Sequence, residues 1–466
     1  MGFAFAFVGA LLVLGMLAIG LWAGVVERRL GTDTEGFWTA HRSLSGASLG
    51  MSLSASMLSV SWSLVYGVEL LYRYGWGGLW LLAVPWLVTL GLFFFLAPRL
   101  RSFGAFSQGE LFGRLYGRDV QLLTVLVLSL VFLAWCGAEI AAAGQLLAPT
   151  LRMPAPWVMT AVALLVAMYS FAGGFRAVVA TDVAQFALIA FFLLFLGFRA
   201  ARLGHGWAPL AQAAPPSTWL VAVTLVVYVT GWLAEADIWL RLTAAKSHGH
   251  ARLAMAFTAG VSLVLVVGLP ALLAASARAL FPSPVATPVL SRLLAVLLPP
   301  GLELVVVAGF AAVALSTVST TANVVAVAWA RDWPRNHPHT ASLPGARWAS
   351  AGAVGAALVV AFLSRSLAEL FYLSAGLLSA ALFWPTVGLF HRRLRSPAKA
   401  AGWAGFFAVL VTFAVERAGL GAFARDPGLV ELGIGYIPPA LAAGAVVFVF
   451  RLCRRPGQPA SPDREP

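Results

Sequence analysis

The chain has 466 residues, 61% of them hydrophobic and only 11% charged, with a mean hydropathy of +0.88. No soluble domain of this length has that composition; an all-α protein crossing a bilayer many times does. The net charge of +13 falls mostly between apolar stretches rather than in one basic patch, so it does not point to nucleic acid, and Cys136 and Cys453 offer neither a disulfide framework nor a zinc spacing.

Thirteen apolar segments are long enough, or nearly long enough, to span. They run about 3–26, 47–71, 76–97, 120–148, 155–172, 179–198, 217–240, 253–275, 304–330, 348–363, 367–390, 400–415 and 433–450. The first has no basic stretch before it and runs over about 20 residues, so it reads as a retained span and not a cleaved signal. A short apolar helix near 287–299, ending at Pro299-Pro300, reads as a surface helix. With the N-terminus outside, 22 of the 31 basic residues fall on the cytoplasmic side, among them Arg99, Arg101, Arg241, Lys246, Arg331 and Arg392. That bias predicts an N-terminus outside and a C-terminus inside the cell (inner) membrane. The tail 454–466 is short and Pro-rich, leaving no room for a soluble effector domain.

Two spans look interrupted. The second carries Ser52, Ser54, Ser56, Ser59, Ser61 and Ser63, then Gly67; Ser52, Ser56, Ser59 and Ser63 share a helical face. The seventh carries Thr230-Gly231 and then Glu235 and Asp237. These spans are five apart, and a repeat of five spans, each opening on a broken helix, is a transporter plan.

The ninth span holds Ser316-Thr-Val-Ser-Thr-Thr321, with Ser316, Ser319, Thr320 and Asn323 on one face. Such hydroxyls either bond back to the preceding turn and aid helix packing, or form a neutral oxygen cluster able to hold a small hard cation. Asp182 opens the sixth span as an interfacial residue favouring the helix dipole, or as a cation ligand or proton acceptor. Glu139 is the deepest acid by position, a packing partner or part of a polar path. Glu69 is expected near the outer surface, and Glu235 and Asp237 near the inner one, solvated or gate-pairing. The pairs Gly20/Gly24 and Gly46/Gly50 read as helix packing. All seven histidines fall in predicted loops, so neither a hydrolase dyad nor a metalloenzyme cluster is available, which argues against an enzyme.

At this point the residues resemble a family. Tyr169-Ser-Phe-Ala-Gly-Gly-Phe-Arg-Ala-Val-Val-Ala-Thr-Asp-Val-Ala-Gln185 is similar to the signature of the sodium:solute symporter family around its fifth core helix. Tyr72-Arg-Tyr-Gly75, Ala97-Pro-Arg-Leu100, Arg114-Leu-Tyr-Gly117 and Arg241-Leu-Thr-Ala-Ala-Lys-Ser247 resemble further stretches of it, over about Phe37 to Trp333. The resemblance implies a LeuT-like fold with inverted five-helix repeats. An extra first helix and loop would occupy 1–45, the repeats 46–201 and 202–396, two last helices 397–453 and a cytoplasmic tail 454–466.

The resemblance also implies sites. The main sodium site would take the carbonyls of Met57, Val60 and Val313 and the hydroxyls of Ser316 and Thr317. A second sodium site, found in a subset of the family, would take Asp182, Ser316, Ser319 and Thr320. The solute pocket would be lined by Ser61, Trp62, Tyr66, Trp86, Tyr228 and Trp232. The family's sugar transporters carry a carboxylate and an amide where Leu82 and Tyr228 stand here, which argues against a sugar; an aromatic pocket without an obvious charged partner suits a small neutral or zwitterionic organic solute, and a quaternary amine held by the rings is the other reading. The expected activity is sodium-coupled import, with Na+, the solute and the lipid bilayer as partners, no nucleic acid, and the oligomeric state open. Two alternatives stand beside it: a membrane sensor acting with a separate partner chain at loops 99–119 or 331–347, and a proton-coupled transporter using Asp182.

Overall fold

Long runs of Leu, Val, Ala and Phe can cross lipid only as helices, because each backbone N–H and C=O must find its partner within the segment. The computed structural model describes residues 2–30, 34–282, 289–298, 301–333, 343–363, 373–418 and 437–453, and these are helical apart from short connections and one isolated bridge between Leu44 and Ala245. Pro299-Pro300, His337, His339 and the tail 454–466 lie outside the described residues.

In chain order the main helices are α1 (Gly2–Leu30), α2 (Gly46–Met57), α3 (Gly67–Tyr74), α4 (Ala83–Ser102), α5 (Gln108–Tyr116), α6 (Arg118–Leu151), α7 (Ala155–Ala201), α8 (Thr218–Trp232) and α9 (Ala236–Ala244). Then come α10 (His248–Ser262), α11 (Leu269–Leu280), α12 (Val289–Leu297), α13 (Glu303–Val327), α14 (Leu343–Leu363), α15 (Leu373–Gly388), α16 (Arg395–Arg417) and α17 (Ile437–Cys453). Among the described residues, eight helical stretches are long and apolar enough to cross a membrane, and four more apolar helices are shorter. The expected surface helix is α12, which buries Leu290, Leu293, Leu294 and Leu297 along one stripe.

Three interruptions shape the bundle. The first separates α2 from a wide helical turn over Val60–Tyr66 that runs on into α3. The second separates α8 from α9 at Leu233–Glu235. The third lies inside α7 at Gly174, whose φ of 57° and ψ of −151° are open to glycine at no steric cost. A side chain at Gly174 would also meet the Phe37 carbonyl at 2.4 Å. The kink divides α7 where the sequence analysis separates its fifth and sixth spans.

The half-helix α2 is surrounded by α7, α10 and α13, with α13 also against α6 and α7. Gly46 and Gly50 form its contact with α10: an added Cβ would lie 2.5 Å from the His250 carbonyl and 2.8 Å from the Phe257 Cβ. Close backbone approach of this kind replaces the hydrophobic drive that lipid removes. The two loops considered for a docking partner are bound to one another. Ser107 Oγ donates to Asp332 Oδ1 (2.7 Å), Arg118 to the Asp332 carbonyl (2.9 Å), and Arg331 to Glu110 (3.0 Å).

Candidate cation and solute site

The first break begins where Leu58 leaves the helix at ψ 58° and Ser59 turns extended. Ser59 Oγ then accepts the Trp62 amide (2.8 Å), an N-cap that starts the second half-helix. A second acceptor comes from α6. Glu139 Oε1 accepts the Val60 amide (2.7 Å), and Oε2 accepts the Ser61 amide (3.1 Å) and hydroxyl (2.6 Å), all of it buried. A carboxylate facing a helix N-terminus is favoured by the exposed amides and the helix dipole. Glu139, read from sequence as a packing partner or part of a polar path, holds the break open.

Opposite the break stands α13. Thr317 Oγ1 reaches the Ser56 carbonyl (3.0 Å) and its own Val313 carbonyl (3.3 Å), so the hydroxyl helix touches the residue just before Met57. Ser316 turns the other way and donates to Asp182 Oδ1 (2.7 Å). Ser319 and Thr321 bond back to the carbonyls of Ser316 (3.0 Å) and Thr317 (2.8 Å), as packing hydroxyls do. The cluster thus divides between two environments.

Around Asp182 the structure brings together Ser316, Thr320, Ser52 and a residue sequence reasoning left without a role, Arg241. Asp182 Oδ2 accepts from Ser52 Oγ (2.5 Å) and lies 3.3 Å from Arg241 Nη2. The same nitrogen donates to Thr320 Oγ1 (2.9 Å), while Nη1 reaches Asp237 Oδ2 (3.0 Å). Arg241 is 1% exposed and is the one base in the buried set among the described residues. The positive-inside tally treats it as a loop residue. Its only sequence signal is its place in the Arg241–Ser247 motif.

Between the breaks lies a cavity enclosing about 680 Å³ of empty space, counting its open mouth. Met57, Ser61, Trp62, Trp86, Tyr228, Trp232 and Thr317 line it. Tyr66 does not; it lies a turn beyond Trp62. Trp62, Trp86 and Trp232 meet edge to face with centroids 5.5–5.8 Å apart, and Tyr228 stacks on Trp232 at 4.6 Å. Phe132 and Trp135, unforeseen from sequence, join from α6 on the face that carries Glu139. Glu235 and Asp237 also line the cavity and are buried, where the sequence reading has them solvated or gate-pairing. Glu69, by contrast, pairs with Arg73 at partial exposure.

Sodium suits the first environment. The break takes backbone out of the helical ladder inside a protein-lined cavity, Thr317 faces it, and neutral oxygens are the donors that hard cations prefer.

A broken helix against a hydroxyl-bearing helix, over a buried cavity in an all-helical membrane bundle, defines a secondary transporter of LeuT-like fold. The model of the sodium:solute symporter family matches residues 37–363, and the chain belongs to that family. It is 32% identical to the sodium/pantothenate symporter of Haemophilus influenzae over 171 residues, 36% of this chain and 35% of the relative. It is 27% identical to the high-affinity choline transporter 1 of Caenorhabditis elegans over 290 residues, 56% and 48% of the two chains. The human sodium/iodide cotransporter is 30% identical over 176 residues, 38% and 27%. The alignments thus span between a quarter and a half of these relatives' lengths. Among solved structures, the substrate-bound outward-open state of a Na+-coupled sialic acid symporter superposes with a TM-score of 0.74 at 15% identity, covering 95% of this chain and 97% of the other. The nucleobase-cation-symport-1 transporter Mhp1, closed with bromovinylhydantoin bound, gives 0.54 at 14% identity, covering 90% and 95%. These neighbours are transporters, not enzymes.

Proposed function

We propose that the chain imports a small neutral or zwitterionic organic solute together with sodium, by alternating access. The carrying observation is the Leu58–Ser59 break, its second half-helix capped on one side by Glu139 and its first faced on the other by Thr317. Sodium would be held by the carbonyls of Met57, Val60 and Val313 and the hydroxyl of Thr317, and by the hydroxyl of Ser316 once it turns from Asp182 Oδ1 toward the break. The solute would sit beside Ser61, Trp62, Trp86, Tyr228 and Trp232. The arrangement would comprise thirteen spans with the N-terminus outside and the C-terminus in the cytoplasm of the inner cell membrane. Inverted five-helix repeats over 46–201 and 202–396 would each open on one of the two breaks.

Inward movement of sodium yields roughly 2.3 kcal/mol per charge per 100 mV, added to its concentration gradient. An ion bridging α13 to the break biases the bundle only as far as its affinity differs between the outward and inward arrangements. A second sodium at Asp182, Ser316, Ser319 and Thr320 belongs to this proposal, with one condition set by the geometry: the Arg241 guanidinium must first leave Asp182 Oδ2.

Uptake into proteoliposomes tests the reading. Accumulation driven by an inward sodium gradient is expected. Accumulation that persists without sodium and follows a pH gradient would replace it with proton coupling.

A further inference from the structure

We infer that the solute carries a protonated primary or secondary amine, received by the carboxylates of Glu235 and Asp237 at one end of the aromatic cavity. This rests on that cavity being the solute site, as proposed above.

Glu235 is the residue just before α9, with extended backbone. From that position a side-chain oxygen ordinarily accepts the first amides of the helix. Glu235 makes no such bond. It is 2% exposed and Asp237 is 1% exposed, and both line the cavity. Glu235 Oε2 and Asp237 Oδ1 have no hydrogen-bond partner among the described residues. The two carboxyl groups are like charges within hydrogen-bond reach of one another, so one proton can be shared between them, while Glu235 Oε2 and Asp237 Oδ1 still lack a donor. A buried carboxyl oxygen without a donor is costly unless a cation or a donor completes it.

The charge balance points the same way. Glu235 and Asp237 line the cavity, Glu139 and Asp182 are buried on neighbouring helices, and Arg241 is the one buried base among the described residues. Glu139 is satisfied by two amides and a hydroxyl. The guanidinium is divided between Asp182 and the second oxygen of Asp237. Among the described residues Glu235 has no ion-pair partner, only the field of Arg241, and Asp237 Oδ1 has no donor. A cation entering with the solute completes them.

The cation must bring N–H groups. A carboxylate oxygen lacking a donor is satisfied by ammonium protons, and a quaternary nitrogen has none. A quaternary head held by rings alone needs open ring faces. Here the three indoles already meet edge to face, and Tyr228 covers one face of Trp232. The rings therefore shape the apolar body of the solute while the carboxylates take its ammonium.

The test uses the full chain in lipid nanodiscs and reads the thermal unfolding midpoint in sodium chloride and in potassium chloride. The probes are glycine, β-alanine, L-proline and putrescine, each beside its N-acetylated and fully N-methylated form. At least one free amine is expected to raise the midpoint in sodium, and its acetylated and permethylated forms are not. Glu235→Gln and Asp237→Asn should weaken that amine tenfold or more while keeping the stabilisation by sodium itself. Glu235→Asp retains the charge and serves if the glutamine variant does not fold; it should bind more weakly than the parent and more tightly than Asp237→Asn. The inference is overturned if no free amine acts, if an acetylated or permethylated form binds equally well, or if Glu235→Gln binds the amine unchanged. It is likewise overturned if Glu235→Gln abolishes a response to a proton gradient and leaves amine selectivity intact. Absence of any stabilisation by sodium in the parent protein would instead count against the proposed function.

Discussion

The carboxylate of Glu139 lies 2.7 Å from the backbone nitrogen of Val60, the first residue after the break in the α2–α3 span. One side chain from α6 thereby orients the peptide units expected to face sodium, and places a buried negative charge close to a site otherwise made of neutral oxygens. Glu139→Ala would leave two buried amides without an acceptor, at about 1–3 kcal/mol each. We expect a lowered unfolding midpoint and a sodium half-saturation raised at least tenfold. Glu139→Gln, which retains an acceptor but not the charge, should recover stability more than sodium affinity. A sodium titration of unfolding separates these effects, and equal recovery of both would remove the electrostatic role.

Thr317 joins α13 to the carbonyl of Ser56. A hydroxyl bound to a charged group contributes about 1.5–3 kcal/mol, roughly one to two decades in affinity. Thr317→Ala combined with Ser316→Ala should raise the sodium concentration needed for half-maximal uptake by that order, and Thr317→Ser should restore most of it. Unchanged sodium dependence in the double variant would show that the ion binds elsewhere.

Arg241 and Asp182 form a buried pair, and removing one member of such a pair costs about 3–5 kcal/mol because the other charge is stranded. Arg241→Gln is therefore expected to be strongly destabilising, and combining it with Asp182→Asn should recover part of the loss in a double-mutant cycle. The same residues decide ion stoichiometry. If Arg241 yields its place to a second sodium, the sodium Hill coefficient of uptake falls in Asp182→Asn. A coefficient near one in both proteins would make the guanidinium the permanent cation of that site.

Tyr228 stacks on Trp232 with an interplanar angle of 9°. Aromatic pairs contribute about 0.5–1.5 kcal/mol beyond the area they bury. Tyr228→Ala and Trp232→Ala should each weaken the solute several-fold or more and change sodium affinity far less. Competition binding at fixed sodium checks this; a larger change in sodium than in solute affinity would move the pocket away from these rings.

The α-helical class and the apolar segments were readable without coordinates, because lipid admits helices and a hydropathy window detects them. The kink at Gly174 could be located from the Gly-Gly pair between two apolar runs, and the first break from the serine-rich stretch Ser52–Ser63 that contains it. The aromatic wall was readable as a set of residues, apart from Tyr66. Tyr66 closes the wide turn over Val60–Tyr66 and is not among the residues lining the cavity.

The polarity of Ser316–Thr321 is thus a property of the sequence alone: six residues too rich in hydroxyls for lipid. Only the packed structure divides them. Thr317 faces the break, Ser316 and Thr320 face Asp182 and Arg241, and Ser319 and Thr321 return to their own helix. Charges mislead a linear reading most. Hydropathy assigns Arg241, Glu235 and Asp237 to the membrane edge, because an isolated charge belongs in water. Tertiary structure buries Arg241 by supplying Ser52, 189 residues away, with Asp182 and Thr320 beside it. Such partners meet only when distant helices pack, and so the fate of each charge was decided by the fold.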